Sequence, residues 1–366
     1  RDDSELLDVI RLYYADDTIT VSLIRDGNVQ SVRLVLEAFP EETSDEVDIE
    51  YTSFSNNGIR FRAVITSPRS SGKEKLPALL IVSALRGNRL IGVAYYNMYR
   101  EIAYEIARQG FRVMRFELRG FGDSEGEDFR TTDFYTEVGD NVAALDYLMN
   151  RDDVHKDHVF VMGHSTGGMI AALLASQRDI AGLITSCTIG RTYHERLVET
   201  LRLQGVLGGD SSTEINETIK SYLELTVLVG RGDSLSAIVE KNPNLSSLVN
   251  SSGRIMDDRN AVYWRQQLNL NLPNIYSTVK EPVLIIYASS DFLTQLACHE
   301  HIRDVLIASG NDDVTLEVIS NCDHAYAFAR DKRESYENYK TSNFRVNSEP
   351  FEKITGWLVK HVSKTR

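Results

Sequence analysis

Cysteine, net positive charge and long apolar runs are all scarce in this chain of 366 residues, and each scarcity removes a class of protein. The three cysteines, Cys187, Cys298 and Cys322, are widely spaced and odd in number, which excludes a disulfide framework or a CxxC metal site, although two of them could pair. Forty Lys and Arg against 53 Asp and Glu leave a formal net charge of -13, the wrong sign for a nucleic-acid backbone or an anionic membrane surface as partner. No stretch approaches the roughly 18 consecutive apolar residues of a membrane span. The opening Arg1-Asp2-Asp3-Ser4 is not a signal peptide, and an arginine start fits a chain that begins downstream of one. What is present, 42% hydrophobic and 25% charged residues, suits one large domain with a sizeable core plus a small attachment.

Four segments are expected. In residues 1–44, Leu6, Leu7, Ile10 and Leu12 to Tyr14 pattern as a short amphipathic helix. Strands over 18–25 and 30–36, joined by Asp26-Gly27-Asn28, follow it, and an acidic stretch at 39–44 closes the segment. From residue 45 to 189 strands alternate with helices, the signature of a mostly parallel sheet flanked by helices. Strands are predicted at 47–54, 59–67, 79–82, 111–118, 159–162 and 183–187, and helices at 96–109, 131–150 and 168–176. Residues 190–277 lose this rhythm, turning polar and helical only in patches, as an inserted cap would. The rhythm returns in 278–366, with strands at 283–287 and 314–319 and helices around 301–308 and 352–361.

The strongest local signal is Gly163-His164-Ser165-Thr166-Gly167, between an apolar strand and a helix rich in small residues. A sharp strand-to-helix turn lifts the Ser165 hydroxyl clear of the sheet and needs glycines beside it to avoid Cβ clashes. It also sets that hydroxyl beside helix amides able to hold an oxyanion. A neutral serine is a poor nucleophile, so a base and an orienting acid must follow. Asp291 lies just past the buried strand 283–287 and His324 just past the strand 314–319, at the sheet edge where open α/β sheets place their sites. Asp323, beside the histidine, is read as a loop acid able to influence the imidazole, and Asp312 and Asp313 as a solvated turn. His164 should point away from the nucleophile, while His299 and His301 form an H-x-H that lacks a second ligand pair and reads as helix surface. No metal and no cofactor are called for. The oxyanion would be held by the backbone N–H groups of Thr166 and Leu85, the latter in the turn 83–89, whose Arg86 and Arg89 could meet a substrate carboxylate but read first as solvated. Arg119-Gly120-Phe121-Gly122-Asp123-Ser124 lacks the Lys-Ser/Thr of a phosphate loop and reads as a structural turn. Arg231-Gly232-Asp233 in the cap reads as a coincidental match to an adhesion tripeptide.

With these residues in view the chain resembles the α/β-hydrolases of the bacterial esterase and acyl-aminopeptidase-like branch, from about residue 46 to the end. The pieces carrying the resemblance are Val82-Ser83-Ala84-Leu85, residues 119–124, Gly163 to Gly168, residues 282–291 and Asp323-His324. Ala84 departs from the glycine that many relatives carry there. The resemblance implies a Ser-Asp-His triad, a helical cap shaping an acyl pocket, with Leu201 to Leu228 supplying apolar residues for it, and a small or acyl-carrying carbonyl substrate, an ester or thioester first. A peptidase or acyltransferase using the same triad stays open. Residues 1–44 resemble the closing helix and strands of a bacterial PDZ domain; any appended hairpin would look similar. That second resemblance implies a peptide partner and a rival expectation, a scaffold protein with a secondary hydrolase domain. Family habit and the PDZ-like stretch favour a secreted or periplasmic location.

Overall fold

Alternating apolar residues in a short, charged segment make a hairpin. The computed structural model describes residues 13, 16–37, 40–72, 74–83, 97–341 and 344–364. In it β1 (Thr18–Arg25) and β2 (Asn28–Val35) pair antiparallel from Thr18↔Val35 to Arg25↔Asn28. Asp26 and Gly27 both have positive φ, 52° and 76°, the requirement of a two-residue turn whose twist matches the strands. The turn is thus tighter than the predicted one, and β2 starts two residues earlier. The helix expected over 6–14 falls outside the described residues apart from Tyr13. This hairpin belongs to a unit separate from the remainder of the chain.

The second unit begins at Ser44. Its strands are β3 (Val47–Asn56), β4 (Ile59–Pro68), β5 (Leu76–Val82), β6 (Arg112–Phe116), β7 (Val154–His164), β8 (Gly182–Ser186), β9 (Val283–Ala288) and β10 (Val314–Ile319). They form one eight-stranded sheet in the order β10-β9-β8-β7-β5-β6-β4-β3. β10 to β6 are mutually parallel, and β4 runs antiparallel to both β6 and β3. The continuous apolar runs are central for a physical reason. Leu79, Leu80 and Ile81 in β5, and Val159 and Val161 in β7, are fully buried because both faces of the sheet are covered, and only a strand apolar on both sides gains from that. After β6 the chain crosses to the other side of β5 to add β7, so the order reverses there. The carboxyl ends of β5 and β7 flank the crevice in which open α/β sheets bind ligands.

Helices cover both faces. On one side α1 (Met98–Arg108) and α10 (Glu349–Lys364) bury Ile102, Ile106, Ile354 and Leu358 against Leu79, Ile81 and Met162. On the other, α2 (Phe134–Met149), α3 (Thr166–Ala175) and α9 (Leu296–Ala308) cover Leu80, Val161 and Ile285. Burying one such side chain contributes about 1.5–3 kcal/mol.

Residues 190–277, expected as an inserted cap, are more regular than their composition suggests. α4 (Tyr193–Gly208) and α5 (Ser212–Arg231) each begin with a reciprocal capping box, Thr192 with Glu195 and Ser211 with Glu214, and each ends at a left-handed glycine, Gly209 and Gly232. Gly232 is the middle of the Arg231-Gly232-Asp233 tripeptide, which therefore serves as a helix terminus. α6 (Leu235–Lys241), a 3-10 turn (Pro243–Leu248), α7 (Ala261–Leu268) and α8 (Leu272–Ser277) follow. The insertion is not a separate compact unit: Leu225, Val229, Ile238, Trp264 and Tyr276 join the cluster that covers β5 and β7.

One buried ion pair fastens it. Arg259, fully enclosed, donates to a Glu137 carboxylate oxygen on α2 and to the Phe129 carbonyl, with its guanidinium 4.2 Å from the Tyr263 ring centroid. Burial pushes the Glu137 carboxyl up, and the Arg259 charge and hydrogen bond pull against it. Arg259→Leu strands that acid in an apolar site and is expected to cost about 3–5 kcal/mol. Urea unfolding at pH 7 reads this, and Arg259→Leu combined with Glu137→Leu should recover most of the loss.

Candidate active site

The turn between β7 and α3 is where the sequence motif becomes geometry. Ser165 is the N-cap of α3 with φ 56° and ψ −126°, a region that non-glycine residues occupy only when their surroundings enforce it. The flanking glycines are required by space rather than by φ. A Cβ on Gly163 would lie 2.2 Å from the Gly167 carbonyl oxygen, and one on Gly167 would lie 2.4 Å from the carbonyl oxygens of Val82 and Ser83. Gly168 has the same constraint, with a Cβ 2.4 Å from Thr188 Oγ1. The backbone is pinned from β8: Ser165 N–H donates to Ser186 O at 2.8 Å, and the Thr188 hydroxyl donates to Ser165 O at 2.6 Å. Thr166, the first residue of α3, has an N–H with no intrahelical acceptor, as an oxyanion donor needs. Leu85, Arg86 and Arg89 lie outside the described residues.

Asp291 and His324 are brought together, although 33 residues separate them. His324 Nδ1–H donates to Asp291 Oδ2 at 2.8 Å. The other carboxylate oxygen accepts from Leu293 N–H at 2.7 Å and Thr294 N–H at 3.0 Å, and the Thr294 hydroxyl donates to Oδ2. Burial alone would push the Asp291 carboxyl up. The charge and hydrogen bond of His324, with those from Thr294 and Leu293, outweigh it and hold the group well below the ordinary carboxylate range. The two loops are stitched by Ser290 N–H to Cys322 O at 2.8 Å, Ser290 Oγ–H to Ala329 O at 2.7 Å and Asn321 N–H to Ser289 Oγ at 3.1 Å. Lys332 Nζ donates to Asp291 O at 2.6 Å and to Tyr287 OH at 2.9 Å. Asp291 is fully enclosed while 9% of the His324 side chain stays accessible, the asymmetry an orienting acid and a working base need.

Among the described residues no hydrogen bond joins the Ser165 hydroxyl to the imidazole. The neighbouring His164 ring lies 4.8 Å from the His324 ring, so the elbow and the base loop meet at one sheet edge. Such a bond often tightens only when substrate arrives. His164 itself turns into the core between Tyr99 and Tyr326. Residues with positive φ crowd this edge: besides Ser165, Cys187 has 47°, Asn321 51° and Tyr326 58°.

Asp323, the rival acid, does not contact the imidazole through its carboxylate. Its Oδ1 accepts from Ala325 N–H at 2.9 Å and Ala327 N–H at 2.8 Å, and its buried Oδ2 has no hydrogen-bond partner among the described residues. Burial pushes this carboxyl up to about 6, against the pull of those two amides. A raised acid pKa means the folded chain holds the proton more tightly than the unfolded one. Its contribution therefore falls as pH climbs from the unfolded value to about 6 and is level on either side. Asp323→Asn should flatten the stability curve over that window, by up to about 3 kcal/mol relative to the parent chain. Thermal midpoints from pH 4 to 7 that run parallel for the two proteins would contradict this.

Two readings need correction. His299 is not on a helix surface: it is fully buried, Nδ1–H donating to Gln295 O at 2.9 Å and Nε2 accepting from Thr188 N–H at 3.0 Å. Its spacing from Ile302 and Leu306 on the apolar face of α9 was the available signal. Asp313 is not simply solvated, since it faces His361 Nε2 at 3.3 Å. The turn 119–124 does fold as a structural element, with Ser124 Oγ accepting from Arg62 N–H at 2.9 Å and a Gly120 Cβ excluded by the Glu127 carbonyl at 1.9 Å. The three cysteines are free and buried. Cys187 Sγ, an Asp291 oxygen and a His324 nitrogen lie within 4.8 Å of one another. The carboxylate is already saturated with donors, and burial pushes the Cys187 thiol far up, which makes this donor set unsuited to an ion.

Comparison with known proteins matches residues 92–331 to the family described as serine aminopeptidase, S33. The chain is similar to the esterase EstD of Thermotoga maritima, 24% identical over 93% of this chain and 76% of that one. It is also similar to the quorum-quenching protein AidA of Acinetobacter baumannii, 23% identical over 54% of this chain and 66% of that one, so it spans about two thirds of AidA. Among solved structures, Est1E from Butyrivibrio proteoclasticus superposes with a TM-score of 0.52 at 14% identity, over 86% of this chain and 99% of Est1E. The Pyrococcus furiosus esterase Pf2001 gives 0.53 at 12% identity, over 88% and 97%. At these identities the structural likeness speaks for a common fold alone.

Proposed function

Since the chain belongs to the serine aminopeptidase S33 family and has the α/β-hydrolase fold, we propose that it hydrolyses carboxylic esters through an acyl-enzyme on Ser165. The observation that carries this reading is the Asp291–His324 pair at 2.8 Å, at the same sheet edge as a serine held in strained backbone geometry. The names of two relatives, the esterase EstD and a human monoglyceride lipase matched over 28% of its length, favour an ester over an amide.

In the proposed cycle Ser165 Oγ attacks the carbonyl carbon while His324 Nε2 takes its proton. Asp291 holds Nδ1–H and stabilises the imidazolium that forms. The oxyanion rests on the Thr166 N–H and on a second amide, assigned from the sequence to Leu85. The intermediate collapses, His324 returns the proton to the departing alcohol, and water repeats the steps to release the acid. A peptidase or acyltransferase would share all but the leaving group or the acceptor.

The test is a 4-nitrophenyl ester series from acetate to decanoate, amino-acid 4-nitroanilides in parallel, and a fluorophosphonate probe. Expected are turnover of at least one ester, slower anilide cleavage and a probe adduct on the peptide holding Ser165. Failure of every ester together with no adduct would sink the reading.

A further inference from the structure

Two buried residues outside the proposed triad, His299 and Thr188, form a chain that ends on the nucleophile's backbone. His299 Nδ1–H is committed to Gln295 O at 2.9 Å, which fixes Nε2 as an acceptor, and Nε2 takes the Thr188 N–H at 3.0 Å. The Thr188 hydroxyl then donates to the Ser165 carbonyl oxygen at 2.6 Å. His299 and Thr188 are both fully enclosed, so neither bond competes with water. Gly168 leaves the room for Thr188 that any side chain there would take.

This arrangement needs a cause. A serine at φ 56° and ψ −126° relaxes unless its surroundings over-determine it. The Ser165 N–H is held from β8 by Ser186 O; its carbonyl is held by Thr188. A valine at 188 would fill the same space, and a leucine at 299 would bury as readily. Hydroxyl and imidazole are therefore there for their hydrogen bonds. Burial pushes the His299 imidazole down to about 4, so it remains the neutral acceptor across the working range.

We propose that Thr188 and His299 are positioning residues that act in series: His299 sets the Thr188 backbone, and the Thr188 hydroxyl holds the Ser165 carbonyl so that Oγ keeps its angle of attack. This rests on Ser165 being the nucleophile. Neither residue touches substrate, so the effect falls on the chemical step rather than on binding.

The experiment measures kcat and KM on a 4-nitrophenyl ester, per active site titrated with a fluorophosphonate, with thermal midpoints alongside. Thr188→Val is expected to lower kcat per titrated site by about 10- to 100-fold, as displacement of a reacting group does, with KM within about twofold. Thr188→Ser should restore most of the rate. His299→Leu should fall in the same direction, and His299→Gln, which presents an oxygen near the Nε2 position, should recover it. Because the two bonds are in series, the variant with Thr188→Val and His299→Leu together should lose little more than Thr188→Val alone. Wild-type kcat per site in Thr188→Val and His299→Leu, or losses that multiply in the double variant, overturns the proposal. Ser165→Ala separates the two failures. If it abolishes turnover while Thr188→Val stays at the wild-type rate, only the clamp is wrong; if it leaves turnover intact, the nucleophile assignment and the clamp fall together.

Discussion

Ser165→Ala is expected to lower kcat for ester hydrolysis by about 10,000-fold or more and to remove fluorophosphonate labelling altogether. The magnitude follows from what survives the change. Alanine keeps the glycine-lined turn, the Thr166 amide and the Asp291–His324 pair, so binding and oxyanion stabilisation persist while the atom that forms the acyl bond is gone. Only water activated by His324 could then attack. KM should move little and the thermal midpoint by no more than a few degrees, since the hydroxyl caps no helix amide. A variant retaining a tenth of the parent rate would place the nucleophile elsewhere.

Asp291→Asn should be almost as damaging, about 10,000-fold in kcat near neutral pH, for a reason specific to this loop. The Leu293 and Thr294 amides both point at Oδ1, so the asparagine carbonyl is obliged to sit there. Its NH2 then faces His324 Nδ1 and the Thr294 hydroxyl. A donor facing Nδ1 selects the tautomer protonated on Nε2, which cannot take a proton from serine. The change also removes the charge that stabilises the imidazolium. A proton spectrum should lose the low-field Nδ1–H resonance while the far-ultraviolet circular dichroism stays that of the parent; retention of that resonance, or of a tenth of the rate, contradicts this account.

How much of this was legible beforehand depended on whether the physics was local. The continuous apolar strands and the strand-turn-helix at residues 159–176 are properties of neighbouring residues, and they read correctly. Choosing Asp291 over Asp323 was also local, because the former follows a buried strand directly. The capping boxes of the insertion were readable in principle, as Thr192 with Glu195 and Ser211 with Glu214, but the polar composition around them masked the signal. His299, Thr188 and Lys332 could not be read at all as parts of the site. Their roles depend on which loops the sheet order makes adjacent, and Lys332 reaches Asp291 across 41 positions.

The four non-glycine residues with left-handed backbone at the sheet edge, Ser165, Cys187, Asn321 and Tyr326, have an implication for breeding hardier versions of this enzyme. Glycine would relieve a backbone penalty of about 1–3 kcal/mol at each, but at the fully buried Cys187 and Tyr326 the cavity it leaves outweighs that gain, so selection for heat tolerance alone drifts toward glycine at Ser165 and the exposed Asn321. The same drift slackens the scaffold that aims the reacting groups. Robustness is better sought in the surface loops, where a degree gained in melting temperature costs no turnover.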